Sequence, residues 1–180
     1  KIDSINQVPI NNKVGLSFEL VLKNILRQDP DIIFIGEIRD KFSLDIALQA
    51  SLTGHLVLAS IHASSSVETI TRLIDLKADP FLISTTLKAV MAQRLVLAHC
   101  KSCENGCKKC NFTKFYDRTS ISEILKVDEQ ISSLIFNKAS FNELKEYLKN
   151  INFKTMLDDG KQKVKDGLTT LEEVYKVVNF

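Results

Sequence analysis

The chain has 180 residues, enough for one full domain or for a partial domain with an appendage. Hydrophobic residues make up 44% and charged residues 26%, a globular balance that excludes a disordered chain. With 24 Lys and Arg against 22 Asp and Glu, the net charge of +2 supplies no long-range field that points to nucleic acid.

The chain opens at Lys1 and enters patterned segments almost at once, which suggests a piece of a longer protein. Ile5 to Ile10 alternates loosely and could be a strand, and Asn11 to Gly15 is turn chemistry. Ser17 can cap a helix whose apolar positions Phe18, Leu22, Ile25 and Leu26 share one face, with Pro30 as its stop. Ile32 to Ile35 is a β-branched and aromatic run of the kind buried on both faces of a parallel sheet. Lys41 to Leu52 repeats at helical spacing and closes on Thr53-Gly54. His55 to Ile61 reads as a second buried strand, Val67 to Leu76 as a helix, and Pro80 opens another helix to about Ala92. Leu95 to Ala98 predicts a short strand, and Thr119 to Leu125 a strand or short helix. Gln130 to Phe136, Phe141 to Leu148, Thr155 to Val164 and Thr170 to Val178 follow as helices, a small and mostly helical last third. Strand, helix and strand in that order argue an α/β fold with a parallel sheet. No apolar run approaches the roughly 18 residues that cross a bilayer, and no basic-then-apolar leader is visible, so a cytosolic chain is expected.

Three constellations carry chemistry. The first is Asp29-Pro-Asp-Ile-Ile-Phe-Ile-Gly-Glu-Ile-Arg-Asp40, where Gly36 and Glu37 emerge at the carboxyl end of a buried strand. Parallel sheets bind ligands at that end, and a carboxylate there can orient a Mg²⁺-bound water or polarise a nucleophile, a Walker B position by chemistry. The bland alternative is a surface pair between Glu37 and Arg39. The second is Thr53-Gly-His-Leu-Val-Leu-Ala-Ser-Ile-His62. His62 is either a satisfied strand-end histidine or a catalytic group, while His55, about seven residues or roughly 23 Å away along the strand, reads as structural. The third is Cys100-x2-Cys103-x3-Cys107-x2-Cys110, two knuckles that offer the four thiolates of a tetrahedral Zn²⁺ site. Disulfides and an iron–sulfur centre are the competing readings. Four thiolates leave no open position for water, so a zinc here is structural, with Lys101, Lys108 and Lys109 offsetting its excess negative charge.

The strings Arg27-Gln-Asp-Pro-Asp31 and Gly36-Glu-Ile-Arg-Asp40 resemble the Walker B region of the secretion ATPase superfamily, the hexameric motors of type II secretion and type IV pilus systems. Thr53 to His62 is similar to that family's His box, and the resemblance implies that His62 faces the nucleotide phosphates. Ala92-Gln-Arg-Leu-Val96, which by itself reads as a helix end passing into a strand, is similar to its Gln-Arg-Leu motif and makes Gln93 and Arg94 candidate nucleotide contacts beside Gly36 and Arg39. Arg72 is a further candidate cation. The pilus-assembly and secretion members carry a similar tetracysteine element, with tens of residues between the knuckles where this chain has three, and the retraction motors lack it. Tyr116 to Leu125, Asp158-Asp-Gly160 and Gly167 to Val174 resemble the family's later signatures, so the likeness runs over nearly the whole chain.

The resemblance implies the C-terminal part of a RecA-like P-loop NTPase core over residues 1–98, a metal knuckle over 99–111 and a mostly helical C-terminal subdomain over 112–180. No G-x-x-x-x-G-K-[ST] phosphate loop occurs among the six glycines, so the expectation is an ATPase only as the full-length protein, with ATP, Mg²⁺ and Zn²⁺ as its cofactors. Implied partners are further copies of itself in a homohexamer and inner-membrane platform proteins, at which a cytoplasmic protein docks peripherally; no nucleic acid is expected. The rival class is a non-enzymatic zinc-knuckle module that binds protein or nucleic acid.

Overall fold

A computed structural model of the chain describes residues 2–178. Ser17 accepts the N–H of Leu20 at 3.2 Å and so opens α1 (Phe18–Ile25), which stops well short of Pro30. Strand β1 (Ile32–Ile35) follows, and Asp40 caps α2 (Lys41–Leu52) by accepting from Ser43 at 2.8 Å. That hydrogen bond, before any other cause, holds the Asp40 carboxyl below its ordinary pKa. The crossover through α2 returns the chain to β2 (Leu56–Ala59), parallel to β1 with Ile32 beside Leu56 and Ile35 beside Ala59.

Two helices, α3 (Ser66–Asp75) and α4 (Pro80–Thr86), lead into a long antiparallel hairpin of β3 (Ala89–His99) and β4 (Phe115–Lys126). Four more helices complete the described residues: α5 (Glu129–Phe136), α6 (Phe141–Asn150), α7 (Met156–Lys165) and α8 (Leu171–Val178). Two apolar cores result. The larger gathers α2, α3, α4, α5 and α6 around Leu44, Ile70, Ile83, Ile131 and Leu144, and reaches the hairpin at Val90 and Leu125. The smaller lies against the same hairpin further along, where Ala92, Val96 and Ile121 meet Met156 of α7 and Val174 of α8. One amphipathic ribbon therefore serves both cores from one face.

Several expectations are corrected. Residues 89–92 are strand, not the end of a helix: α4 stops at Thr86, Leu87 is extended, and Val90, Ala92 and Val96 turn inward with the period of two that the cores require. Gln93 and Arg94 consequently lie in mid-strand, and the short strand expected over Leu95 to Ala98 is part of the same element. The segment from Ile5 to Ile10 pairs with no strand among the described residues, and its apolar side chains stand exposed. Strand β1 is buried on one face only: Ile33 and Ile35 are buried, whereas Ile32 is 59% and Phe34 72% exposed. The last third is helical but opens with the twelve-residue β4, which pairs with β3 on the other side of the cysteine segment.

Gly160, inside α7, fixes how closely α7 and α8 approach. A Cβ there would stand 2.5 Å from Cγ1 and 3.1 Å from Cγ2 of the fully buried Val174, a stiff β-branched side chain. Gly160→Ala should therefore destabilise the protein by about 1–2 kcal/mol, the overpacking cost outweighing the roughly 1 kcal/mol that alanine gains in a helix interior. Urea unfolding of the two proteins measures the difference.

Candidate functional site

The parallel pairing of β1 and β2 continues beyond both strands. Ser60 N–H donates to Ile35 O at 3.3 Å, Ile38 N–H donates to Ser60 O at 2.8 Å, and the Ser60 hydroxyl donates to the Gly36 carbonyl. These bonds hold the two strand exits side by side, so that Glu37 after β1 and His62 after β2 meet at the carboxyl end of the pair. His62 Nε2 lies 2.7 Å from Glu37 Oε1, and Arg39 Nε donates to Glu37 Oε2 at 2.5 Å. The Glu37 side chain is 20% exposed and the His62 side chain 87% exposed. The acid is sheltered and the imidazole is free to turn outward.

The Arg39 hydrogen bond, helped by the guanidinium charge of Arg39 and the nearby His62 imidazole, holds the Glu37 carboxyl below its ordinary value and raises Arg39 in return. Glu37 is thus ionised at neutral pH, an acceptor at both oxygens. A Cβ on Gly36 would meet nothing within 4 Å, so the backbone there borders open space.

Other candidates separate. Arg94 Nη2 lies 3.4 Å from Ser64 O, which brings its guanidinium to the loop just after His62. Gln93 alternates to the other face of the hairpin, exposed, with no side-chain hydrogen bond among the described residues. Arg72 is exposed on α3. His55 Nδ1 lies 3.0 Å from Ala50 O and 3.1 Å from Thr53 Oγ1, where it closes the end of α2.

The cysteines form a second cluster at the tip of the β3–β4 hairpin. Their four Sγ atoms lie within 4.8 Å of one another, with Cys100 and Cys107 at 4.0 Å, Cys103 and Cys110 at 3.6 Å, and Cys107 and Cys110 at 3.9 Å. Tetrahedral thiolates at about 2.3 Å from a zinc ion stand about 3.8 Å apart, so this donor set fits a metal. All four cysteines are free thiols. Cys107 N–H donates to Cys110 Sγ at 3.2 Å, which pulls Cys110 down to about 6, while burial and its sulfur neighbours push Cys103 up to about 12. The three-residue link between the knuckles closes because Gly106 adopts φ 99° with the Phe112 backbone pressed against it. A Cβ on Gly106 would stand 2.9 Å from Phe112 O.

One residue of consequence escaped the sequence reading. Glu123 of β4 is only 8% exposed, and its carboxylate accepts Ser66 N–H and Ser66 Oγ–H at Oε1, both at 2.7 Å, and Met156 N–H at Oε2, at 3.0 Å. Its signal was its place in the alternation Ile121, Glu123, Leu125, an acid at a core-facing position.

A parallel pair with its crossover helix, an acid and a histidine at the strand exits, and a cysteine cluster close enough for a metal make this an α/β chain that fits the RecA-like P-loop NTPase core the resemblance implied. The chain belongs to the family described as Type II/IV secretion system protein, whose model matches residues 1–176. It is 40% identical over 185 residues to the type II secretion system protein HxcR of Pseudomonas aeruginosa, covering 98% of this chain and 39% of that protein. It is 39% identical over 202 residues to the type II secretion system ATPase E of Vibrio cholerae, covering 98% of this chain and 40% of that protein. The crystal structure of the pilus retraction motor PilT with bound ADP matches it with a TM-score of 0.71 at 29% identity, over 89% of this chain and 43% of that one. The chain thus spans about 40% of the length of these curated relatives.

Arg39→Ala should return the Glu37 pKa upward toward the ordinary carboxylate value, seen as a shifted side-chain carboxyl titration by carbon-detected NMR. Because the folded pKa of Glu37 is depressed, the stability it contributes is present above its unfolded pKa. It disappears as pH falls through the folded one, and the variant loses less over that acid window.

Proposed function

We propose that this chain is the C-terminal part of the motor domain of a longer ATP-hydrolysing protein, a homohexamer that powers type II secretion or type IV pilus assembly. The observation that carries the reading is the pairing of Glu37 with His62 across the exits of two parallel strands, 2.7 Å apart. Family membership and the names of the relatives, one an ATPase E and one a pilus retraction motor, support it.

In this reading Glu37, held ionised by Arg39, accepts a proton of the attacking water and orients its lone pair. His62 turns from Glu37 toward the phosphate oxygens and donates to them, which makes the pair a sensor of whether phosphate is present. The open backbone at Gly36 lets the nucleotide approach, and Arg39, Gln93 and Arg94 are its candidate polar contacts. Mg²⁺, when bound, neutralises charge on the phosphates, and Glu37 is the carboxylate of this chain placed to orient its water shell. The phosphate loop belongs to the rest of the protein, consistent with relatives more than twice as long as this chain. No helix among the described residues is long and apolar enough to cross a membrane. In this proposal, contact with the inner membrane runs through platform proteins on its cytoplasmic side, with no nucleic-acid partner.

Cys100, Cys103, Cys107 and Cys110 would hold one Zn²⁺ in a closed structural site that fastens the hairpin tip. One zinc per chain is expected by elemental analysis of the purified full-length protein. Gly106→Ala should lower that occupancy, because the Phe112 backbone must retreat to admit the methyl group.

The decisive experiment is Mg²⁺-dependent ATP hydrolysis by the full-length protein beside its Glu37→Gln variant. Turnover reduced by about 10²-fold or more in the variant is expected of a group acting in the transition state. An intact protein without turnover would overturn the motor reading and leave a zinc-knuckle binding module.

A further inference from the structure

The loop that carries His62 is anchored at both ends. At its start, Ser60 is bonded to Ile35 and Ile38 of the β1 exit. At its end, Ser66, the first residue of α3, gives both its backbone N–H and its hydroxyl to Glu123. Between these anchors Ser64 N–H donates to Glu68 at 2.6 Å, and Arg94 reaches Ser64 O. Only a few residues separate the anchors, so a shift of either one is transmitted to His62. Glu123 is also the anchor that leads elsewhere: its second oxygen accepts from Met156, the first residue of α7, which packs against β4 and α8.

We propose that Glu123 is a positioning residue for His62. Its carboxylate pins the positive N-terminus of α3 to the hairpin, sets where the loop delivers the imidazole, and couples that placement to α7. Three donors converge on one buried carboxylate, which makes the clamp strong and intolerant of substitution. The inference rests on the phosphate-facing role proposed for His62, and its test separates the two.

Glu123→Gln in the full-length protein preserves shape but replaces one acceptor oxygen with an amide NH₂, which must then face a backbone N–H. We expect kcat for ATP to fall about tenfold with KM changed less than about twofold, and amide hydrogen exchange over residues 62–68 to rise about tenfold. In a His62→Ala background the same substitution should change kcat by less than about twofold, because the residue through which Glu123 acts is already gone. Equal losses of kcat in both backgrounds would show general structural damage and overturn the proposal, as would unaltered exchange over residues 62–68. If His62→Ala alone leaves turnover intact, the phosphate-facing role fails, and the exchange measurement still decides whether Glu123 holds the loop. Should Glu123→Gln fail to fold, Ser66→Ala removes one donor and keeps the backbone bonds, with an expected loss of about threefold read through the same cycle.

Discussion

A carboxylate placed among apolar side chains loses its hydration, and it is tolerated only where donors replace the lost water. Glu123 meets that condition with three short hydrogen bonds, and its position explains much of the surrounding architecture. On the inward face of β4, Leu125 belongs to the larger core and Ile121 to the smaller, so Glu123 falls on the seam between them. Two helices aim their N-termini at this seam. Each begins with a hydroxyl cap of its own, Ser65 and Thr155, and each then gives a further N–H to the one acid. The two cores are held in register by a shared charge between them.

The pair at the strand exits follows a different rule. Glu37 and His62 come together through backbone bonds that extend the parallel pairing past its last paired residues, and neither side chain is deeply buried. A rigid frame under exposed groups leaves the groups free to exchange partners. Arg39 supports this by keeping Glu37 charged, and Arg94 by reaching the following loop from β3 of the hairpin. The open backbone at Gly36 and the exposed imidazole lie at the same end of the pair.

Much of this was legible in the residues. The cap at Ser17 and the span of α2 follow from side-chain chemistry and helical spacing, and the positions of Glu37 and His62 at the strand exits follow from the apolar runs before them. The cysteine spacing pointed to one cluster, and the cluster formed. What failed did so where tertiary packing overrode local preference. Residues 89–92 contain alanine, methionine and valine, which suit a helix as well as a strand, and the pairing of Ala89 to Ala92 with Glu123 to Lys126 decided the outcome. The run at Ile32 to Ile35 suggested two buried faces, yet its outer face is bare in the described residues, because an apolar strand signals the environment it suits and not the element that provides it. Glu123 was passed over because an acid in an apolar alternation shows its place but not its partners, and its importance lies in Ser66 and Met156, distant in sequence.

The crowding of sulfur at the hairpin tip has a chemical consequence as well as a structural one. Thiols held 3.6 to 4.0 Å apart need only small side-chain rotations to reach the roughly 2.05 Å of an S–S bond. A bound metal keeps them as separate ligands. A chelator followed by an oxidant would instead cross-link them in pairs, and since each cross-link removes two of the four donors, the tip could not be reloaded until a reductant opened it. The three-residue link that brings the knuckles together thus also makes the tip a place where oxidative damage would leave its mark.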